Sequence, residues 1–505
     1  MPMVSACTQL DPSSYSAWNA LHDPGSSALP DPLEGLTIAD SHLEQVLRGK
    51  AYLVQDGAIG TQLQAHGLAQ GGQIPDLASI TDPDVVTLVH REYVDAGAQM
   101  VTTNSFGANE IKLKGQASVE EVCSASVACA KQSGARYVAG SIGPLGKLLE
   151  PFGDVSFERA FDLFYRQAAA LSEAGADVIT IETMTDLREV KAAVLAARAA
   201  CKLPIFASMT YSKNARTLFG STPEVVAATL SSLGVQAVCV NCSLGPQEIA
   251  PIVRELVRAS RCPVAVRPNA GMPRLEQGRT VYDITPEEFA QAMDQMLDGG
   301  VTIVGGCCGT NPAFIEKLAA LVGDRSKPAT RAYEPALRIC SSQTVARVDA
   351  ESGEELEVSP AIDPADSEAI EEVREGDADS VADEAMDAFD DADVVELSFV
   401  PAGLSPDEEG ALFEEVLAEL EETSPMPLLI RANEADVLEH AVRSIAGKPL
   451  VGVCSDDLEA FEQLIPVVRR YGCAVVIPGT GEQAKMAVQL AYKAGIAGED
   501  MVVGA

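Results

Sequence analysis

Between Ala51 and Val322 one unit repeats: a short β-rich run ends in glycine or a polar residue, and a helical pattern follows. The runs are AYLVQDG (51–57), MVTTNSFG (100–107), YVAGSIGP (137–144), DVITIETM (177–184), PIFASMTY (204–211), AVCVNCS (237–243), PVAVRPNAG (263–271) and VTIVGGCCG (301–309). Helical patterns such as DLREVKAAVLAARAA (186–200) and PEVVAATLSSLG (223–234) separate them, and several close on Ala-Gly or Leu-Gly, where a helix C-cap is expected. Eight such beats in about 270 residues match the count and length of a (β/α)8 TIM barrel. A doubly wound sheet would stop earlier and carry a G-x-G-x-x-G loop after its first strand. DGAIGTQ (56–62) lacks that spacing, which argues against nucleotide binding.

In a barrel of this kind chemistry sits at the C-terminal ends of the strands. Asp56, Asn104, Glu182, Cys242, Asn269, Cys307 and Cys308 fall there. Three of the 12 cysteines therefore meet at one mouth, on strands six and eight. Three converging thiolates suit a tetrahedral Zn²⁺ with its fourth position open, the arrangement of a catalytic zinc. Adjacent side chains point opposite ways on a regular strand, and the glycines of Gly-Gly-Cys-Cys-Gly (305–309) let the backbone turn both sulfurs to one metal. A bare Cys-Cys pair would be two small buried residues; Cys242 and the glycines favour the metal. Cys7, Cys123, Cys129, Cys201, Cys239, Cys262, Cys340, Cys454 and Cys473 lie without such partners and are expected to be structural.

DGAIGTQL (56–63), TTNSFGAN (102–109), GSIGPLG (140–146), IETMTDLREV (181–190), VNCSLGP (240–246), RPNAGMP (267–273) and GGCCGTNPAFI (305–315) resemble the homocysteine S-methyltransferase family. The resemblance spans about residues 45–325 and is strongest to the N-terminal homocysteine-binding domain of cobalamin-dependent methionine synthase. It implies a zinc-containing barrel that methylates homocysteine to methionine. By it, Cys242, Cys307 and Cys308 match zinc ligands, and Asp56, Glu182 and Asn269 match positions holding the amino-acid end of the substrate. The chemistry is coherent. A thiol with a pKa near about 8.5 is mostly protonated at neutral pH, and zinc coordination deprotonates it while three cysteinates keep the site electron-rich. The carboxylates can pair with the substrate ammonium, and backbone N–H groups of the turn at Gly57 can receive its carboxylate.

The methyl donor is open. The resemblance allows a methylcorrinoid, S-methylmethionine, S-adenosylmethionine or betaine. A quaternary ammonium wants aromatic faces, yet Thr183 follows Glu182 and the one tryptophan is Trp18, so betaine is disfavoured. A methylcobalamin or other corrinoid carried by a separate protein is the expected donor, since no D-x-H-x-x-G pattern occurs. The alternatives are a stand-alone enzyme using a sulfonium donor and a non-catalytic zinc or thiol-binding partner of a corrinoid protein.

Residues 1–44 read as an extension and 326–336 as a linker. Residues 337–505 read as a partial, TIM-barrel-like second α/β domain, with runs at 355–362, 393–400, 426–433, 449–455, 474–480 and 501–505. This part resembles the pterin-binding barrel that follows the homocysteine domain in methionine synthase, cut short and degenerate. Where that barrel carries Asp, Asn and Asp, this chain has Arg431 or Ala432, Val453 or Cys454, and Gly504. Methylfolate binding is therefore not expected; a docking or scaffold role is. Residues 349–422 hold 28 Asp/Glu and one Arg (Arg374), a net of −27 out of −38 for the chain. Such a run is a solvated face or linker, or else a docking surface for a basic partner. The acid excess opposes nucleic acid and anionic membranes. No Lys or Arg precedes Arg48 and no apolar run is long enough to span a bilayer, so a cytoplasmic protein is expected.

Overall fold

The computed structural model describes residues 9–10, 30–68, 73–272, 274–276, 279–349, 356–362, 367–375 and 377–503. They fall into two compact units: Gly35–Ser231 with Val235–Tyr333, and the described residues of Met1–Glu34, Ser232–Gly234 and Glu334–Ala505. Most of the predicted N-terminal extension, with Cys7 and Trp18, lies outside the described residues. The division between Tyr333 and Glu334 falls inside the stretch read as a linker. Its first part is packed rather than free: Lys327 accepts a hydrogen bond from the Tyr52 hydroxyl at 3.2 Å, and the Arg331 guanidinium donates to the carbonyls of Arg261 and Cys262.

The larger unit is a (β/α)8 barrel. Its strands are β1 (Leu53–Val54), β2 (Met100–Thr102), β3 (Tyr137–Ile142), β4 (Val178–Met184), β5 (Ile205–Met209), β6 (Ala237–Asn241), β7 (Val264–Arg267) and β8 (Ile303–Val304), one from each predicted run. They hydrogen-bond in the order β1-β8-β7-β6-β5-β4-β3-β2, all parallel. A parallel bridge between Gln55 and Met100 joins β1 to β2 and completes the circuit. The strands are buried almost throughout, as parallel strands covered on both faces must be, and this explains their Val/Ile-rich composition. The helices start where side chains satisfy the orphan N–H groups of a first turn. Ser118 and Thr285 form capping boxes with Glu121 and Glu288, while Ser156, Asp186 and Asn311 cap three others. The Ala-Gly and Leu-Gly endings behave as expected, for Gly97, Gly175 and Gly234 have positive φ. A two-stranded ribbon, Arg274–Glu276 with Arg279–Val281, rises from the loop after β7.

The second unit departs from its sequence reading in two ways. Of the six expected strands, five form one parallel sheet in chain order: β11 (Val395–Leu397), β12 (Leu428–Arg431), β13 (Leu450–Gly452), β14 (Ala474–Ile477) and β15 (Met501–Val503). The run at 355–362 instead gives Leu356–Glu357, antiparallel to Gln9–Leu10, and meets the sheet through a Val358–Val394 bridge and hydrogen bonds of Ser359 and Ile362 with Glu396. Ahead of it, β9 (Ala336–Cys340) and β10 (Val345–Asp349) form an antiparallel hairpin that the sequence reading did not anticipate. A parallel sheet in chain order places its right-handed crossovers on one side, as in half a barrel, and leaves the other face to be covered. Leu337, Ile339, Ala346 and Val348 of the hairpin share one buried core with Leu429, Leu450, Ala474, Val476 and Val502 of the sheet. Gly504 lies outside the described residues; Arg431 pairs with Glu396 at 2.9 Å and donates to the Val453 carbonyl.

Candidate functional site

At the C-terminal mouth of the barrel the Sγ atoms of Cys242, Cys307 and Cys308 all lie within 4.8 Å of one another, with Cys242 and Cys308 at 3.7 Å. Among the described residues no other group of this kind is present. The eleven described cysteines are free thiols. Cys242 reaches the cluster through a strained turn: Cys242 and Ser243 have φ of 64° and 57°, a left-handed conformation that costs about 1 kcal/mol or more per L-residue. The turn is held by the Cys242 N–H on the Arg267 carbonyl (3.2 Å) and the Leu244 N–H on the Cys242 carbonyl (2.7 Å). On the β8 side the Cys307 N–H donates to the Pro268 carbonyl, and the Ala270 N–H donates to the Cys308 carbonyl. Gly309 follows at φ 83°, where a Cβ would lie 2.3 Å from the Tyr282 ring. The Tyr282 ring thus packs against the backbone next to Cys308.

Each thiol is lowered by a hydrogen bond with one neighbouring sulfur and raised by a hydrogen bond with the other, and burial with the nearby sulfur charge pushes all three up, Cys242 to about 11 and Cys307 and Cys308 to about 12. Three thiols at this spacing cannot all ionise without a cation between them. The donor set therefore fits a soft divalent metal.

Beside the sulfurs stands a buried ion cluster. Arg267, at the end of β7, donates to Glu182 Oε2 at 3.2 Å, to Asp56 Oδ1 at 3.1 Å and to the Gly306 carbonyl at 3.2 Å. Asp56 also accepts the Thr102 N–H at 2.7 Å and the Thr102 hydroxyl at 2.9 Å, and Glu182 accepts the Ser141 hydroxyl at 2.5 Å. Burial raises the Asp56 carboxyl to about 6 against the opposing pull of Arg267 and Thr102. Burial also works against the Arg267 charge, but Glu182 and Asp56 more than offset it and its pKa is raised. Asp56 is fully buried with its oxygens engaged, whereas Glu182 is 9 % exposed. Asn269 is 2 % exposed and its Oδ1 has no hydrogen-bond partner among the described residues, a buried acceptor left unsatisfied by the protein. At Gly57 a Cβ would lie 2.6 Å from Thr310 Oγ1, so the first turn closes only over glycine. Asn104 faces elsewhere, donating to the Pro75 carbonyl and Ser79 Oγ.

The model of the family described as homocysteine S-methyltransferase matches residues 53–322. The chain belongs to that family. Its curated relatives include the methionine synthase of Mycobacterium tuberculosis (strain ATCC 25618 / H37Rv), 35% identical over 332 residues, which are 60% of this chain and 28% of the relative. The methionine synthase of Mycobacterium leprae (strain TN) is 35% identical over 292 residues, 54% of this chain and 24% of the relative. The chain thus spans about a quarter of the length of the curated relatives it matches. Among solved structures, the metallated form of the homocysteine methyltransferase MmuM from Escherichia coli is 25% identical, with a TM-score of 0.47 over 57% of this chain and 99% of that one.

Sequence reasoning missed Arg267, Asn241 and Tyr282 at this mouth. Arg267 and Asn241 sit inside quoted motifs, and the signal for Arg267 was charge balance: two strand-end carboxylates in one mouth demand a cation. Tyr282 carries no such signal, because it comes to the Cys308–Gly309 turn from beyond the ribbon after β7.

Proposed function

We propose that the barrel is a zinc-dependent S-methyltransferase that transfers a methyl group to the thiol of homocysteine, forming methionine. The observation that carries this is the convergence of the Cys242, Cys307 and Cys308 sulfurs at the barrel mouth that also holds the buried Asp56–Arg267–Glu182 ion cluster. Cys242, Cys307 and Cys308 are the metal ligands of this reading, three thiolates that leave one tetrahedral position for a fourth sulfur. Bound zinc supplies deprotonation of the substrate thiol at neutral pH. The protein's own residues do the rest. Asp56, Glu182 and Arg267 sum to one negative charge when both acids are ionised, which an α-ammonium neutralises. Glu182, the more exposed acid, meets the ammonium; Asp56 holds Arg267 and Thr102 behind it. The free Oδ1 of Asn269 accepts a further substrate N–H, and backbone N–H groups of the Gly57 turn receive the substrate carboxylate.

The methyl group comes from a methylcorrinoid supplied in trans, and the second unit serves as a docking or scaffold module rather than as a folate enzyme. The name methionine synthase on relatives that extend well beyond the matched stretch supports a donor carried by other protein. Among the described residues no helix is long and apolar enough to cross a membrane; a cytoplasmic site of action accords with the free thiols. The test is methionine formation from homocysteine by zinc-loaded protein with methylcobalamin, S-methylmethionine or S-adenosylmethionine in turn. Turnover with the corrinoid is expected. Turnover with a sulfonium donor alone would replace the donor, and none with any would make the chain a thiol-binding partner.

A further inference from the structure

Asn241, the last residue of β6, has every polar valence filled. Its Oδ1 accepts the Thr183 backbone N–H at 2.9 Å and the Ser208 hydroxyl at 2.6 Å. Its Nδ2 donates to Thr183 Oγ1 at 2.8 Å and to Cys307 Sγ at 3.7 Å. A backbone N–H can only donate, so the amide cannot be flipped and a nitrogen, not an oxygen, faces the sulfur. Thr183 is itself held at φ 63°, which a β-branched residue adopts only under constraint. The fold therefore strains one residue while fixing an N–H on one particular cysteine.

A site of three thiolates and an open position faces a problem of selectivity, because each ligand sulfur is also a nucleophile. In the unwanted reaction a lone pair on Cys307 Sγ attacks the methyl carbon, an S–CH₃ bond forms, and the leaving group departs with the electrons of its bond to carbon. The product thioether is neutral and a poorer ligand. A hydrogen bond to the sulfur occupies that lone pair and withdraws charge from it.

We propose that Asn241 is a positioning residue whose N–H on Cys307 shields this ligand from alkylation and so directs the methyl group to the substrate sulfur. This inference rests on the zinc methyltransferase reading given above.

The test uses zinc-loaded full-length protein without homocysteine, treated with methyl iodide, with methylation of Cys242, Cys307 and Cys308 followed by peptide mass mapping. Asn241→Asp keeps the acceptor for Thr183 and Ser208, deletes the donor and adds a negative charge, so the uncharged Ser208→Ala variant below is the check on that charge. Methylation of Cys307 is expected to quicken about tenfold, the rate change equivalent to about 1.4 kcal/mol, while Cys242 and Cys308 keep their wild-type rates. In cobalt-loaded protein the sulfur-to-cobalt absorption should move to lower energy. Ser208→Ala, which only unfastens the amide, should shift both readouts the same way by less. Unchanged Cys307 in both variants, or all three cysteines quickening together as general loosening would produce, overturns the proposal. A wild-type chain that takes up no zinc would overturn the functional reading and this inference with it, whereas a zinc-loaded chain with indifferent Cys307 overturns this inference alone.

Discussion

Arg267 sits between two carboxylates that would otherwise repel one another across the mouth, and its three contacts fix where the negative charge of the site is free to act. Glu182→Gln keeps size and the Ser141 contact but removes that charge, so homocysteine should bind more weakly by about 1.5 to 3 kcal/mol with zinc retained. Titration calorimetry of the zinc-loaded variant reads this, and unchanged affinity would make Glu182 structural. Cys308→Ala should separate cleanly from it: with one of three thiolates gone, metal analysis should show zinc falling well below about one per chain. Full zinc occupancy in that variant would refute the ligand assignment. The three cysteines were legible because thiol chemistry, glycines and strand-end position coincide in the sequence. Arg267 and Asn241 were not, because a guanidinium or amide at a strand end has many structural uses. Only the distances to Glu182, Asp56 and Cys307 single them out.

At the scale of elements, periodicity sufficed for the barrel, since the same unit, a mostly apolar strand run followed by a helical pattern, recurs eight times. It failed in the second unit for a physical reason. ALRIC (336–340) and VARVD (345–349) are short, and only β10 alternates between buried and half-buried residues. Neither length nor composition says that a half-barrel needs its inner face covered. One helix there also carries a conflict that burial creates. α1 (Pro406–Thr423) begins with a capping box at Ser405 and Glu408, yet the next residue, Glu409, is 6 % exposed with Oε1 unpartnered among the described residues. Burial, then Glu434, raises its carboxyl to about 7. The folded state thus keeps a proton between about pH 4.5 and 7 that the unfolded chain has released. Stability should fall as pH rises through that window and stay lower above it. Glu409→Gln should abolish this fall, gaining about 1 to 2 kcal/mol at pH 8 and little at pH 4. Denaturant unfolding of both proteins at the two pH values checks it; an equal effect at both would mean that the proton is not the cause.

For the molecule as a whole the dominant fact is where its charge lies, and this was readable from composition: −27 of −38 falls on residues 349–422. In the second unit some of that charge lines a cleft of about 460 Å³ with Asp377, Asp379, Glu415, Glu419 and Glu422. Burial and then the neighbouring Asp379, Glu422 and Asp377 raise the Glu419 carboxyl, the mark of acids crowded by their own kind. A folate bears carboxylates of its own, so this face repels it over about one Debye length. Among the described residues, the positions matched to the ring-binding acids, Arg431 or Ala432 and Val453 or Cys454, carry no carboxylate or amide side chain. Arg431 is committed to Glu396 and the Val453 carbonyl, and the hairpin residues Leu337 and Ile339 share the core that the sheet buries. A pterin ring would leave its N–H groups unpaired there, at about 1 to 3 kcal/mol each. Calorimetry of the full chain with methyltetrahydrofolate should therefore show no saturable micromolar binding. The two causes separate by salt: if repulsion alone were responsible, binding would emerge at high ionic strength, whereas missing ring contacts keep it absent at every salt concentration. The expected result is absence throughout, and saturable micromolar binding at either ionic strength would restore a folate role to this unit.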